Sequence, residues 1–295
     1  MALSPRYGLF KGLGGLLEHL PERVDLAAGA TLASVAGRFA PGARRHLRDH
    51  VRHALSGEGE EPDGVELERF VDRAFASYGR YWAEGAKLPA IPTDEMARRF
   101  DVCEGLEHLR DAERAGKGTI IALPHMGSWE WGGSFLAHIG LPMTAVAEAL
   151  EPPELFEWFR AKRQSIGIDI EPLDENAGTV LLTTLRNNGV VGLLCDRDIQ
   201  DNGVEVSFFS ERVTMPAGPA TLALRTGATL VGAACYSGPG RGHHAVITQP
   251  IDTERTGRLR EDVALITQRV AYELEGLIRR APEQWHVLQP IFETT

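Results

Sequence analysis

From Cys103 onward the sequence alternates short apolar stretches with helical stretches, and this alternation constrains the fold more than any other feature. The segments GTIIALP, PMTAVAEA and VVGLLCD are typical of buried strands, whereas GLEHLRDAERAGKG, TVLLTTLRNNG and GPATLALRTGA have the helical period. Buried strands that alternate with helices form largely parallel sheets with helices on both faces. The sequence therefore predicts an α/β fold with a central mixed, mostly parallel sheet flanked by helices.

The first hundred or so residues lack this alternation and are predicted to be helical, with the segment GVELERFVDRAFASYGRYWAEGAKL ending near Pro89. The 295 residues contain no internal repeat, low-complexity tract or linker that would divide them. We therefore predict one domain over residues 1–295, with a helical N-terminal subdomain at 1–100 and an α/β core at 101–295.

Composition excludes several classes of protein. Hydrophobic residues make up 43% of the chain and charged residues 24%, as in globular proteins. The 31 basic and 41 acidic residues give a net charge of -10, which argues against a nucleic-acid partner. Three isolated cysteines (Cys103, Cys195 and Cys235) form no disulfide framework, which favours a reducing compartment. Adjacent His243 and His244 would point to opposite faces of a strand, so no metal site is expected.

The N-terminal region allows two interpretations. No segment reaches the roughly 18 consecutive apolar residues of a spanning helix, and the first forty residues are interrupted by charges and proline. Four leucines nevertheless recur there at helical spacing: Leu13, Leu16, Leu17 and Leu20. They suit either a helix packed on the protein or an amphipathic helix lying on a membrane. A basic band follows, which is either a solvated face or a contact for anionic headgroups: Arg44, Arg45, Arg48 and Arg52.

The stretch TIIALPHMGSWEWGG carries the most informative pair of residues. A predicted strand ends before His125, a helix begins near the N-cap candidate Ser128, and Glu130 falls in its first turn. Active sites of open α/β sheets gather beyond the carboxyl ends of strands, where this histidine lies. On one continuous helix the pair would be about 140° apart, so His125 can meet Glu130 only from outside the helix.

An imidazole is well matched to accept a proton near neutral pH, and a carboxylate on its other nitrogen fixes its tautomer. The chain has no G-x-S-x-G nucleophile motif, so a hydroxyl of the substrate is the expected group for His125 to activate. The alternative is structural: His125 ends a strand and Glu130 merely favours the start of a helix.

Further candidates come from neighbouring segments. Arg160 and Arg163 share a helix face and could bind phosphates, or they could form a solvated face. Glu148 ends a predicted strand, where it would contact a substrate or lie on the surface. After VVGLLCD a polar loop is predicted, and Phe208 and Phe209 follow it as core residues or as part of the site mouth.

Three segments in order resemble the glycerolipid acyltransferases, in the branch that contains the late acyltransferases of lipid A biosynthesis. PHMGSWEWGG is similar to the His-x4-Asp/Glu motif, Asp196 to Ala220 resembles a segment with a Val-x-Phe-Phe core, and PEQWHVLQP resembles a Pro-Glu-Gln-aromatic motif. The resemblance covers about residues 75–290, and ASYGRYWAEGAKLP makes the chain look most like the actinobacterial phosphatidylinositol mannoside acyltransferases. Ser210 stands where glycine often follows the Phe-Phe pair.

The resemblance implies transfer of a long acyl chain, expected to be palmitoyl, from acyl-CoA as co-substrate to a mannose hydroxyl of a phosphatidylinositol mannoside. No other cofactor is implied, and the protein would work peripherally on an anionic membrane surface, at the cytoplasmic face of the plasma membrane. His125 maps onto the family's general base and Glu130 onto its motif acid. Glu205 is the best match to a second acid that orients the histidine, with Asp196 and Asp198 as rivals.

The resemblance also implies substrate-binding residues. Arg163 is the preferred match to a functional arginine of the family, and Glu148, Asp196 and Arg197 complete the predicted substrate-binding set. Two other functions stay open on the sequence alone. An acyl-CoA thioesterase would use the same base to activate water, and a non-catalytic lipid-binding protein would need no paired histidine and acid.

Overall fold

The computed structural model describes residues 21–56, 63–148, 151–238 and 240–292. Within these ranges the α-helices are α1 (Glu22–Arg38), α2 (Pro41–Leu55), α3 (Gly64–Lys87), α4 (Thr93–Arg98), α5 (Leu106–Ala115), α6 (Trp129–His138), α7 (Pro153–Gln164), α8 (Ala177–Arg186), α9 (Gly218–Thr226) and α10 (Leu259–Arg279). The strands are β1 (Phe100–Glu104), β2 (Thr119–Leu123), β3 (Met143–Ala147), β4 (Ile168–Pro172), β5 (Val190–Leu194), β6 (Val204–Phe208), β7 (Glu211–Met215), β8 (Thr229–Ser237) and β9 (His243–Ile247).

Seven strands form the central sheet in the order β1-β9-β8-β2-β5-β3-β4. Every neighbouring pair is parallel except β8 and β9, which pair antiparallel. This arrangement confirms the predicted mixed, mostly parallel sheet flanked by helices. Two strand predictions were wrong: the edge strand β1 was not predicted, and the polar loop after β5 contains a separate antiparallel hairpin made of β6 and β7.

Strand β2 lies in the middle of the sheet, and its residues explain why both faces are covered. Ile120 and Ala122 pack into the hydrophobic cluster that also contains side chains of α8, α9 and α10. Ile121 and Leu123 pack into a second cluster with side chains of α6. Because successive side chains of a strand point to opposite faces, an uninterrupted apolar strand needs helices on both sides. The end of β2 is therefore held rigidly between two packed layers.

Helices α1 to α3 precede the sheet, as the sequence predicts. Gly29 of α1 and Gly79 of α3 let the two helices approach closely, since a Cβ built on Gly79 would lie 2.1 Å from the Gly29 carbonyl oxygen. The predicted leucine repeat from Leu13 to Leu20 lies outside the described residues. No helix of the described ranges is both long and apolar enough to cross a membrane.

The basic band of α2 is largely paired with carboxylates. Arg44 contacts Glu68 at 2.5 Å and Asp72 at 2.8 Å, and Arg48 lies 3.1 Å from Glu68. These pairs hold α2 against α3. The positive charge of the band is thereby partly neutralised, which weakens its interpretation as a contact for anionic headgroups.

Candidate active site

His125 and Asp196 meet because two parallel strands end at the same edge of the sheet. Leu123, the last residue of β2, pairs with Leu194, the last residue of β5. His125 and Asp196 each follow two residues later and therefore emerge side by side. The Nδ1 atom of His125 lies 2.6 Å from Oδ1 of Asp196, and the backbone N–H of His125 donates to Oδ2 at 2.9 Å.

The Asp196 carboxylate is fully buried and accepts a third hydrogen bond, from Nε1 of Trp285 at 2.7 Å. Burial by itself would raise the pKa of Asp196, but the charge and hydrogen bonds of His125 and the Trp285 indole outweigh it and lower the pKa below its usual value. An ionised Asp196 makes His125 Nδ1 the proton donor of the pair. The lone pair of His125 is then on Nε2, and the His125 side chain lines the neighbouring cavity.

The structure corrects the choice of the carboxylate that orients His125. Glu205 lies on the hairpin strand β6, where its side chain is 67% exposed and its nearest ion-pair partner is Arg212 at 3.4 Å. Glu130 lies in the first turn of α6, as predicted, but its carboxylate accepts hydrogen bonds from residues other than His125. The carboxylate that accepts hydrogen bonds from His125 is that of Asp196, which the sequence analysis offers as a rival of Glu205 and as a substrate-binding residue.

Glu130 instead forms a buried cluster with Tyr81 and Arg163. The Tyr81 hydroxyl donates to Oε1 of Glu130 at 3.0 Å, and Arg163 Nη2 donates to the same oxygen at 3.2 Å. Burial would lower the pKa of Arg163, but the charge of Glu130 outweighs it and raises the pKa, so the guanidinium stays charged. The motif acid thus positions a cation at the cavity.

Ser128 occupies the N-cap position of α6 but does not cap the helix with its side chain. Its hydroxyl donates to Oε2 of Glu84 at 3.2 Å, which ties the start of α6 to α3. Burial outweighs the charge of Arg80 and raises the pKa of Glu84. The expected role of Ser128 as a side-chain cap is therefore wrong, although the helix begins where the sequence predicts.

The segment Pro282–Val287 forms backbone hydrogen bonds with the loop that carries His125. The backbone N–H of His286 donates to the His125 carbonyl at 2.7 Å, and the N–H of Gly127 donates to the Gln284 carbonyl at 2.9 Å. Gly127 has a φ of 54°, and a Cβ built there would lie 1.7 Å from the Cys235 carbonyl oxygen. Only glycine fits this turn. The third sequence motif therefore fixes the backbone of the first.

A cavity of about 610 Å³ opens beside His125. Its apolar wall comes from the end of the sheet and from α8 and α9: Ile170, Leu181, Leu182, Leu193, Pro219 and Leu222. Its polar part contains four of the predicted site residues: His125, Glu148, Arg163 and Arg197. The volume lies in the range of ligand pockets, about 300–1,000 Å³. A base, the guanidinium groups of three arginines (Arg163, Arg197 and Arg225) and an apolar wall thus share one space.

The remaining predicted residues are placed as follows. Arg160 forms an ion pair with Glu157 at 3.7 Å, whereas Arg163 three residues later lines the cavity. Phe208 and Phe209 are core residues that pack on Trp285, with ring centroids 5.9 and 5.7 Å away, so they do not line the mouth of the site. Ser210 has a φ of 67°, which explains why glycine suits that position.

Sequence reasoning missed Trp285 and Tyr81 as partners of the charged groups. Trp285 belongs to the third motif, and Tyr81 lies in the segment that carried part of the resemblance, but neither residue has a spacing that indicates its partner. Among the described residues, no group of three or more His, Cys, Asp or Glu side chains is arranged to hold a metal ion. The pair of His125 and Asp196 beside a cavity can activate a hydroxyl or a water molecule.

Comparison with known sequences identifies the family. The sequence profile of the bacterial lipid A biosynthesis acyltransferases matches residues 2–294 of the chain. The chain belongs to this acyltransferase family. The resemblance inferred from three short segments is thereby confirmed over nearly the whole sequence.

Three proteins named as acyltransferases are similar to the chain over most of their length. A phosphatidylinositol mannoside acyltransferase of Mycobacterium tuberculosis is 38% identical over 265 residues, which cover 87% of this chain and 82% of the relative. One from Mycolicibacterium smegmatis is 35% identical, with coverage of 88% and 85%. The lipid A biosynthesis palmitoleoyltransferase of Escherichia coli is 26% identical, with coverage of 99% and 93%.

Proposed function

We propose that this acyltransferase moves a long acyl chain, with palmitoyl as the expected chain, from acyl-CoA to a mannose hydroxyl of a phosphatidylinositol mannoside. The observation that carries the proposal is the 2.6 Å contact between His125 Nδ1 and Asp196 Oδ1 at the wall of a large cavity. The acceptor is taken from two relatives that are 35% and 38% identical to the chain and are named for this lipid.

In the proposed reaction, His125 Nε2 removes the proton of the sugar hydroxyl as its oxygen attacks the thioester carbonyl carbon. The new ester C–O bond forms, the C–S bond breaks, and the proton leaves on the coenzyme A thiol. Asp196 stays ionised and stabilises the imidazolium that forms in between. General-base catalysis of this type contributes about 100-fold to 10,000-fold.

The cavity offers a binding mode for both substrates. The apolar wall from Leu181, Leu182 and Leu193 suits a fatty chain, because burial of each CH₂ group contributes about 0.8 kcal/mol. Arg163 and Arg197 supply planar guanidinium groups that match phosphate oxygens, whether of coenzyme A or of the inositol phosphate. Glu148 lies at the same cavity and is proposed to bind sugar hydroxyls.

We further propose that the protein works as a peripheral protein on the inner face of the plasma membrane, where its lipid acceptor would lie. Helix α1 supports this through apolar side chains on its outer side. Leu32 is 70% exposed and Val35 46%, and Phe39 just after the helix is 83% exposed. Their spacing of three and four residues aligns them along one face. Such a face suits contact with lipid.

The test is to incubate the purified protein with palmitoyl-CoA and a small panel of glycolipids, and to identify the products by mass spectrometry. We expect an acylated phosphatidylinositol mannoside, and a chain-length series of acyl-CoAs should favour palmitoyl. Release of free fatty acid without any acceptor would instead indicate a thioesterase. Saturable lipid binding without loss of the thioester would contradict an enzymatic function altogether.

A further inference from the structure

Asp196 Oδ2 accepts two hydrogen bonds, one from the backbone N–H of His125 and one from the indole N–H of Trp285. We infer that Trp285 is a positioning residue of the reaction: its indole N–H holds the Asp196 carboxylate in the orientation that His125 needs. This inference rests on the proposed function. Trp285 itself does not line the cavity, so it would act only through Asp196.

The geometry explains why a third donor matters. A buried carboxylate that carries a charge needs donors around both oxygens, because each missing bond leaves the charge poorly compensated. His125 alone would contact both oxygens of Asp196, but Oδ2 would then have a single donor, the backbone N–H of His125. Trp285 is 1% exposed and donates to Oδ2 from the segment Pro282–Val287, so the carboxylate is also held from a second part of the chain.

The indole is in turn held by the second sequence motif. Phe208 and Phe209 pack on its ring, and the backbone N–H of Phe209 donates to Oε1 of Glu275 on α10 at 2.7 Å. Arg279 lies over the Phe209 ring at 4.8 Å. The hairpin formed by β6 and β7 therefore packs against Trp285, the side chain that orients Asp196.

Other titratable groups also surround the pair. His50 of α2 lies 5.1 Å from the Trp285 ring, and burial lowers its pKa to about 4. His286 follows Trp285, and burial together with the nearby His125 lowers its pKa to about 3. Burial raises the pKa of Cys195, which precedes Asp196. All three groups stay neutral near pH 7, so a change in the titration of His125 would report on Asp196.

The substitution Trp285→Phe tests the inference, because it removes the N–H and keeps an aromatic ring. We expect kcat for acyl transfer to fall about tenfold to 100-fold with little change in KM. Loss of the donor disfavours the charged carboxylate and makes it a stronger acceptor for the imidazolium. The acid limb of the pH–rate profile should therefore move to higher pH.

Trp131→Phe is the matched control. Trp131 is also 1% exposed, but its Nε1 atom has no hydrogen-bond partner among the described residues. Trp131→Phe therefore makes the same change of ring without the loss of a hydrogen bond. We expect its acid limb and kcat to stay near those of the unmodified protein. Thermal unfolding of both variants measures the cost of repacking.

Equal losses of kcat in the two variants, or an unmoved acid limb in Trp285→Phe, would overturn the positioning role. Trp285 would then contribute through packing only. An NMR titration of the His125 imidazole in histidine-labelled protein provides a readout that needs no activity. If the unmodified protein transfers no acyl group, the proposed function fails. In that case an upward shift of the His125 titration in Trp285→Phe still supports the contact, and an unchanged titration refutes it.

Discussion

Replacement of Asp196 by asparagine is the substitution whose consequence the structure determines most closely. Oδ2 of Asp196 accepts from two N–H groups, those of His125 and Trp285, while Oδ1 faces His125 Nδ1. An asparagine has one oxygen, and satisfying both N–H groups places that oxygen at the Oδ2 position. Its NH₂ group then faces His125 Nδ1. The imidazole must accept there and carry its proton on Nε2.

In this tautomer the free lone pair lies on Nδ1, where the amide N–H of the variant occupies it, so the imidazole cannot act as a base. We expect kcat for acyl transfer in Asp196→Asn to fall by about 10³-fold to 10⁴-fold, as for the equivalent change in a Ser-His-Asp triad. The loss corresponds to about 4–5.5 kcal/mol of transition-state stabilisation. The assay is acyl transfer from palmitoyl-CoA to the phosphatidylinositol mannoside acceptor, with folding checked by circular dichroism.

Glu205→Gln is the control, because it removes a carboxylate that is 67% exposed and forms a surface ion pair with Arg212. Surface ion pairs contribute little, so kcat should stay within about twofold. A folded Asp196→Asn variant that keeps more than a tenth of the activity would refute the tautomer argument. A large loss of kcat in Glu205→Gln would instead support Glu205 as the acid that orients His125, as the sequence analysis favours.

Other substitutions test the surroundings of the pair. Arg163→Lys removes the planar fork beside Glu130 and should raise KM for the anionic substrate about tenfold with a smaller effect on kcat, measured by steady-state kinetics; an unchanged KM would contradict its binding role. Ser210→Gly relieves the left-handed backbone at φ 67° and should increase the free energy of unfolding by about 0.5–1 kcal/mol in urea denaturation, whereas a decrease would contradict it. His50 is neutral in the fold because its pKa is lowered to about 4, so stability that is present above the unfolded pKa near 6.5 should be lost as the pH falls from 6.5 to about 4. Urea denaturation should show that this slope is smaller in His50→Gln by up to about 1.4 kcal/mol per pH unit; an equal slope would refute the assignment.

The fold could be predicted from the sequence because its signal is local. Apolar runs such as TIIAL and VVGLL indicate buried strands, and the helices between them indicate that neighbouring strands are parallel. The hairpin at 204–215 was missed, although Val204, Val206 and Phe208 alternate with polar residues in the manner of a strand. Its turn lacks the Asn-Gly pair that would indicate a hairpin. Phe209 and Ser210 occupy the turn instead, and both adopt positive φ although they have side chains.

The site could be predicted only in part, because its partners are set by strand order. His125 was found from a motif at the end of a strand. Asp196 lies at the corresponding position beyond β5, and its role follows only once β2 and β5 are known to be neighbours in register. Glu130 was expected to face His125, yet Tyr81 and Arg163 contact it. Trp285 lies 89 residues beyond Asp196, and no local pattern predicts their hydrogen bond.

The central claim is that His125 is the base that activates the acceptor hydroxyl. The direct measurement compares His125→Ala with the unmodified protein in acyl transfer from palmitoyl-CoA, with products identified by mass and lipid binding measured in parallel. We expect that the variant folds, binds lipid and forms no acylated glycolipid above background. Acyl transfer by His125→Ala at a rate near that of the unmodified protein would contradict it.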